Sequence, residues 1–213
     1  MIGVGMRLLI ILFLVTWSGL VIWPGASVAH GSDKARSGLC NDYGSKKDYM
    51  GNRYHVVDPE DGRVVRQHWA IDFCTKTGTA VLAPADGWVE WIVWDNPVRG
   101  GSVMFSAILK GADAGAPAEL TYLRALHIDP DPKLRPHMRV QAGMVIGKTQ
   151  KGGKVQIGPQ SHVHFDMGKC HETWLCGINP HPYWSNGPNK ITCFDAKAPP
   201  SKFKIVVPLA CRP

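Results

Sequence analysis

Residues 161–166 read Ser161-His162-Val163-His164-Phe165-Asp166, two histidines one residue apart among apolar and β-favouring neighbours. That composition predicts a strand, in which residues i and i+2 point to one face, so both imidazoles enter the same cleft. At about 3.3 Å of rise per residue their Cα atoms stand roughly 6.6 Å apart. One ring can then bind a metal while the other reaches a group held on it. A lone His-x-His is equally a pair of polar residues on the solvated face of an edge strand. The balance is decided by a second cluster.

That cluster is His68-Trp69-Ala70-Ile71-Asp72-Phe73. Helical spacing would also align His68 with Asp72, but the following Thr75, Thr77, Gly78, Thr79 and Val81 favour strand and turn. In a straight strand the two Cα atoms lie about 13 Å apart, so a kink between them is required if both serve one ion. His68, Asp72 and one histidine of the later pair supply two nitrogens and one carboxylate oxygen. Three protein ligands with one open position is the pattern of catalytic rather than structural zinc.

The ordered set resembles the lysostaphin or LytM-type zinc endopeptidases that cut peptidoglycan. It comprises His68-x-x-x-Asp72, Gly78-Thr79-Ala80-Val81, Ala83-x-x-Asp86-Gly87-x-Val89, Gly143-x-x-Ile146-Gly147 and His162-x-His164-Phe165-Asp166, across about residues 66 to 168. The resemblance implies one Zn2+ per chain held by His68, Asp72 and His164, with catalytic roles for His162 and His127. It also implies the peptide part of peptidoglycan as substrate, whether glycine bridges or D-alanyl cross-links. Two positions depart from the family pattern. Ala70 stands where the family has Gly, and in Tyr122-Leu123-Arg124-Ala125-Leu126-His127 an arginine stands where a histidine is expected. His127 then replaces that histidine through a local insertion. Asp166 shares the face parity of His162 and His164 and is placed to orient one of them. The rival reading is a non-catalytic peptidoglycan-binding or hydrolase-activating module of the same fold, and zinc content discriminates the two.

The 213 residues, 45% hydrophobic and 19% charged, describe a globular chain with one sizeable core plus extensions. Residues 1–29 read as a secretory signal: Arg7, an apolar run from Leu8 to Ile22, then Ser27-Val28-Ala29. The run is short for a membrane span, so no membrane association is expected after cleavage. Losing Arg7 takes the formal charge from +7 to +6, which draws an exported protein to anionic envelope polymers in the periplasm or outside the cell. The basic residues are scattered with no aromatic interleaving, so nucleic acid is not an expected partner. Nothing in the pattern indicates an oligomeric state.

Six cysteines, all beyond the signal, imply disulfides in an exported chain. The preferred pairing is Cys40 with Cys74, Cys170 with Cys176 and Cys193 with Cys211, stapling the extensions to the core. The division is then a signal (1–29), an N-terminal arm (30–65), the endopeptidase domain (66–168) and a cysteine-containing C-terminal extension (169–213).

The fold class expected is mainly β: a single antiparallel sheet or sandwich of the lysostaphin-like (duplicated hybrid motif) type with disulfide-stapled irregular extensions. Strands are expected at 79–84 and 87–94 about an Asp86-Gly87 turn, then at 102–110, 119–128 and within 140–148. Ile205-Val206-Val207 is expected to add a last strand, Trp88, Trp91 and Trp94 to pack against the sheet, and His171 and His181 to lie on the surface. Gly143 to Thr149 is not a phosphate loop, because three rather than four residues separate its glycines.

Overall fold

A computed structural model of the protein describes residues 37–48, 56–57, 64–113, 115–151, 160–173 and 176–211. The expected signal and part of the arm lie outside them. The strands in chain order are β1 (Leu39–Asn41), β2 (Lys46–Asp48), β3 (Val56–Val57), β4 (Val64–Gln67), β5 (Ile71–Cys74) and β6 (Ala80–Leu82). They continue with β7 (Gly87–Val93), β8 (Gly101–Leu109), β9 (Glu119–Pro130), β10 (Arg139–Val140), β11 (Val145–Thr149) and β12 (His162–Gly168), followed by a single 3-10 turn at His181–Tyr183.

The main sheet runs β1-β5-β12-β9-β8-β7-β10, and β11 bridges β9 to β6. Its neighbours pair antiparallel throughout. A smaller sheet joins β2, β4 and β3. The mainly β, antiparallel architecture is the one expected.

Period-two alternation decides which face becomes core. Ile71 and Phe73 of β5, Val163, Phe165 and Met167 of β12, Leu123 and Ala125 of β9, and Val103, Phe105, Ala107 and Leu109 of β8 all enter one buried cluster. The alternate residues Asp72, His162, His164, Asp166 and Arg124 therefore share the opposite face. Register fixes who meets whom: His164 lies opposite Asp72 on one side of β12 and opposite Leu126 on the other.

The C-terminal segment contributes to the same core through Trp184, Ile191, Ile205, Val207 and Leu209. Residues 205–207 do not form the expected strand. Ile205 makes an isolated parallel bridge to Trp184, and Leu209 an isolated antiparallel bridge to Val81. Val206 N–H instead donates to Pro84 O and Val207 N–H to Thr192 O, so the donors diverge towards separate loops. Pro208, lacking an N–H, cannot extend a ladder.

All three expected disulfides form: Cys40–Cys74, Cys170–Cys176 and Cys193–Cys211. Two other expectations are corrected. Trp88 and Trp94 are 48% and 51% exposed rather than packed, because Trp88 pairs with Ser106 on the face away from the core and Trp94 follows the end of β7. His181 is largely covered rather than on the surface, its side chain 14% exposed and its Nε2 2.7 Å from Asp42 Oδ1. Among the described residues no helix is long and apolar enough to cross a membrane.

The Cys193–Cys211 bridge closes a loop of 18 residues whose end carries Ile205, Val207 and Leu209 into the core. Replacing both cysteines by serine is expected to cost about 2–4 kcal/mol in denaturant unfolding. An unchanged midpoint would mean that apolar packing alone anchors the segment.

Candidate metal centre

The required kink is present. His68 lies between β4 and β5, outside both, and the break turns its ring towards the Asp72 carboxylate. His68 Nε2 lies 3.2 Å from Asp72 Oδ1 and 3.2 Å from His164 Nδ1; Asp72 Oδ1 and His164 Nδ1 are 3.0 Å apart. A tetrahedral zinc with bonds of about 2.0–2.1 Å spaces its donor atoms about 3.3 Å apart. The three atoms form a nearly equilateral triangle close to that size. Two imidazole nitrogens and one carboxylate oxygen also suit zinc chemically, so His68, Asp72 and His164 can hold such an ion.

Electrostatics bind the same three groups together. Burial pushes the Asp72 carboxyl up, but hydrogen bonds with His164 and His68 outweigh it and hold the group well below the usual carboxylate range. Burial pushes His164 down, while the Asp166 and Asp72 carboxylates raise it further, to about 9.

Asp166 sits behind His164, its Oδ2 3.5 Å from Nε2. Arg124 lies directly across the β9–β12 ladder from Asp166. It donates from Nε to both carboxylate oxygens at 3.2 Å and from Nη2 to Oδ2 at 2.5 Å. Both side chains are buried. Burial raises the Asp166 carboxyl, but the Arg124 charge and His164 hold it below its ordinary value. The arginine at the position where a histidine was expected is thus the counter-ion of the carboxylate behind His164.

His127 reaches the cleft by a β-bulge. Along β8 and β9 the pairing steps from Ser102↔Leu126 to Gly101↔Ile128, leaving residue 127 as the extra one. Its φ is 65°, left-handed for a residue with a side chain. In a regular strand His127 would share the core-facing parity of Leu123 and Ala125; the bulge re-aims it. Its ring centroid lies 4.7 Å from that of His162 and 5.7 Å from that of His164. His127 Nδ1 is 2.7 Å from Arg99 O. A carbonyl only accepts, so Nδ1 carries the hydrogen and Nε2 keeps its lone pair. Burial, reinforced by the charge of His164, lowers His127 to about 3, so this imidazole is neutral at physiological pH.

His162 completes the group, with Nε2 3.9 Å from Asp72 Oδ1 and Nδ1 3.0 Å from Gln160 O. All five residues singled out from the sequence therefore converge: His68, Asp72 and His164 as a triangle, His162 and His127 beside it. Sequence reasoning missed Asn41, whose Nδ2 donates to Asp72 Oδ2 at 3.0 Å. Its one sequence signal was its place next to Cys40. His171, by contrast, is remote from this group, packing its ring on Tyr122 with centroids 4.4 Å apart.

Residues 66–174, just over half of the chain, match the model of Peptidase family M23, and the chain belongs to that family. No curated protein matches it. Among solved structures it is similar to LytU, with 23% identity, 72% of this chain and 88% of that one covered, and a TM-score of 0.47. It is also similar to the catalytic domain, in a mutant form, of the prophage-encoded M23 protein EnpA from Enterococcus faecalis, with 19% identity, coverage of 67% and 87%, and a TM-score of 0.45. The catalytic domain of the antimicrobial peptidase lysostaphin from Staphylococcus simulans shares 19% identity over 64% of this chain and 90% of that one, with a TM-score of 0.42.

Replacing Arg124 by methionine strands a buried carboxylate and is expected to cost about 3–5 kcal/mol at pH 7 by denaturant unfolding. In the native chain Asp166 is held below its unfolded pKa, so its contribution is full above about pH 4 and is lost as pH falls further. In the variant the unpaired carboxyl takes up a proton more readily, so the deficit should shrink as pH falls from 7 towards 4. A deficit independent of pH would assign Arg124 to packing rather than charge.

Proposed function

We propose that the protein is a zinc-dependent endopeptidase that hydrolyses peptide cross-links or bridges of bacterial peptidoglycan, working outside the cytoplasm in the cell envelope. The observation that carries the reading is the triangle of His68 Nε2, Asp72 Oδ1 and His164 Nδ1 beside two further imidazoles. Membership of Peptidase family M23 supports the peptidase class. The wall substrate rests on the motif resemblance and on the basic balance of the chain, which favours anionic wall polymers. Export is supported by the signal-like residues 1–29 and by three disulfides, which persist in oxidising compartments.

His68, Asp72 and His164 would hold one Zn2+, which when bound would supply Lewis acidity towards a scissile carbonyl and an attacking water. His127, neutral and with Nδ1–H fixed on Arg99 O, presents Nε2 to take the proton of that water as general base. His162, its ring beside that of His127, steadies the developing oxyanion or passes the proton to the leaving amine. Arg124 and Asp166 keep His164 in its orientation from behind.

The direct test incubates the chain with purified peptidoglycan, with and without a chelator, and identifies the fragments by mass. Cleavage that survives complete zinc removal contradicts the proposal. His164→Ala should lose both zinc and cleavage. His127→Ala should keep zinc and lose about 10²–10⁴-fold in turnover; unchanged turnover would remove His127 from the chemistry.

Metal uptake must also displace the proton that Asp166 and Asp72 hold on His164 up to about pH 9. Apparent zinc affinity is therefore expected to rise about tenfold per pH unit between pH 6 and 8, with one proton released per ion. A pH-independent affinity would show that no proton is displaced from His164 when the ion binds.

A further inference from the structure

Residues 40–45 of the N-terminal arm reach the metal cleft, although the motifs of the resemblance begin only at His68. β1 pairs with β5 so that Asn41 lies opposite Asp72, and the Cys40–Cys74 disulfide clamps the same two strands. From this position the buried Asn41 donates from Nδ2 to Asp72 Oδ2 at 3.0 Å. Oδ1 is left facing His68 and His164. The amide itself is oriented: Ser45 Oγ–H donates to Asn41 Oδ1 at 2.5 Å, which turns the nitrogen towards the carboxylate.

The same arm grips His68 by its backbone. Gly44 N–H donates to His68 O at 2.7 Å, and His68 N–H donates to Ser45 O at 3.1 Å. Gly44 adopts φ 75°, the left-handed conformation that brings residues 44 and 45 back against His68. His68 Nδ1 is buried and has no hydrogen-bond partner among the described residues. The aim of this ring is therefore set through its backbone rather than by an outer acceptor.

The geometry points to Asn41 as a positioning residue for the metal site: it fixes the carboxylate rotamer of Asp72 so that one oxygen is reserved for the ion. The inference rests on the metal-site reading given above. A neutral amide suits the task, because it orients Asp72 without bringing a positive charge that would compete with a divalent cation. The arm thus aims two of the three proposed ligands, Asp72 through a side chain and His68 through its main chain. The disulfide keeps the arm in register.

The test is zinc affinity by competition against a chromogenic chelator, measured on the full chain with its disulfides intact. Asn41→Leu, similar in volume but without a donor, should bind zinc roughly 10–100-fold more weakly. Ser45→Ala, which frees the amide to turn, should weaken binding in the same direction by less. Unfolding midpoints with and without zinc give a readout that a merely structural role would leave alone. Positioning predicts that the zinc-induced rise shrinks in both variants, following the weaker binding. Equal drops of the zinc-free and zinc-loaded midpoints, with unchanged affinity, overturn the inference and leave the metal site standing. A parent chain that binds no zinc overturns both.

Discussion

A single buried oxygen, Asp72 Oδ1, is the point on which the cleft depends. His164 Nδ1 approaches it to 3.0 Å, His68 Nε2 to 3.2 Å and His162 Nε2 to 3.9 Å. A carboxylate withdrawn from water is costly unless positive charge and hydrogen bonds compensate it. In the protein alone that compensation comes from a proton held on His164; a divalent cation supplies it more fully. The arrangement that satisfies the carboxylate is therefore also the one that spaces His68 Nε2, Asp72 Oδ1 and His164 Nδ1 as the proposed ion would need them.

The sheet imposes this convergence. β12 lies between β5 and β9, so His164 on β12 meets Asp72 on one flank and the residues of β9 on the other. The carboxylate behind His164 is neutralised by Arg124 from β9, and one extra residue further along β9 turns His127 into the cleft. The arginine and the bulge belong together: with Arg124 committed to Asp166, an imidazole from β9 can reach the cleft only from elsewhere on the strand. The bulge provides it at the cost of a left-handed backbone at residue 127.

Much of this was legible in the residues, because strand parity is a strong rule. His162, His164 and Asp166 share a face for the same reason that Val163, Phe165 and Met167 share the core, and the preferred cysteine pairing, one of 15 the six residues allow, is the one that forms. What escaped were features that depend on the third dimension. Asn41 meets Asp72 across 31 positions of chain, and no local pattern marks that contact. The exposure of Trp88 and Trp94 reflects which sheet face is left uncovered. Residues 205–207 read as a strand from their β-branched side chains, yet their donors are divided among loops. The bulge at His127 was anticipated only as an insertion; the left-handed turn that makes it useful is not encoded in a glycine.

The most direct measurement is the zinc K-edge X-ray absorption spectrum of the zinc-loaded protein. Two imidazole rings and a carboxylate predict about four nitrogen or oxygen neighbours near 2.0–2.1 Å, outer-shell scattering from two rings, and no sulfur near 2.3 Å. A sulfur shell, or a shell of oxygens without imidazole scattering, would contradict the assignment of His68, Asp72 and His164.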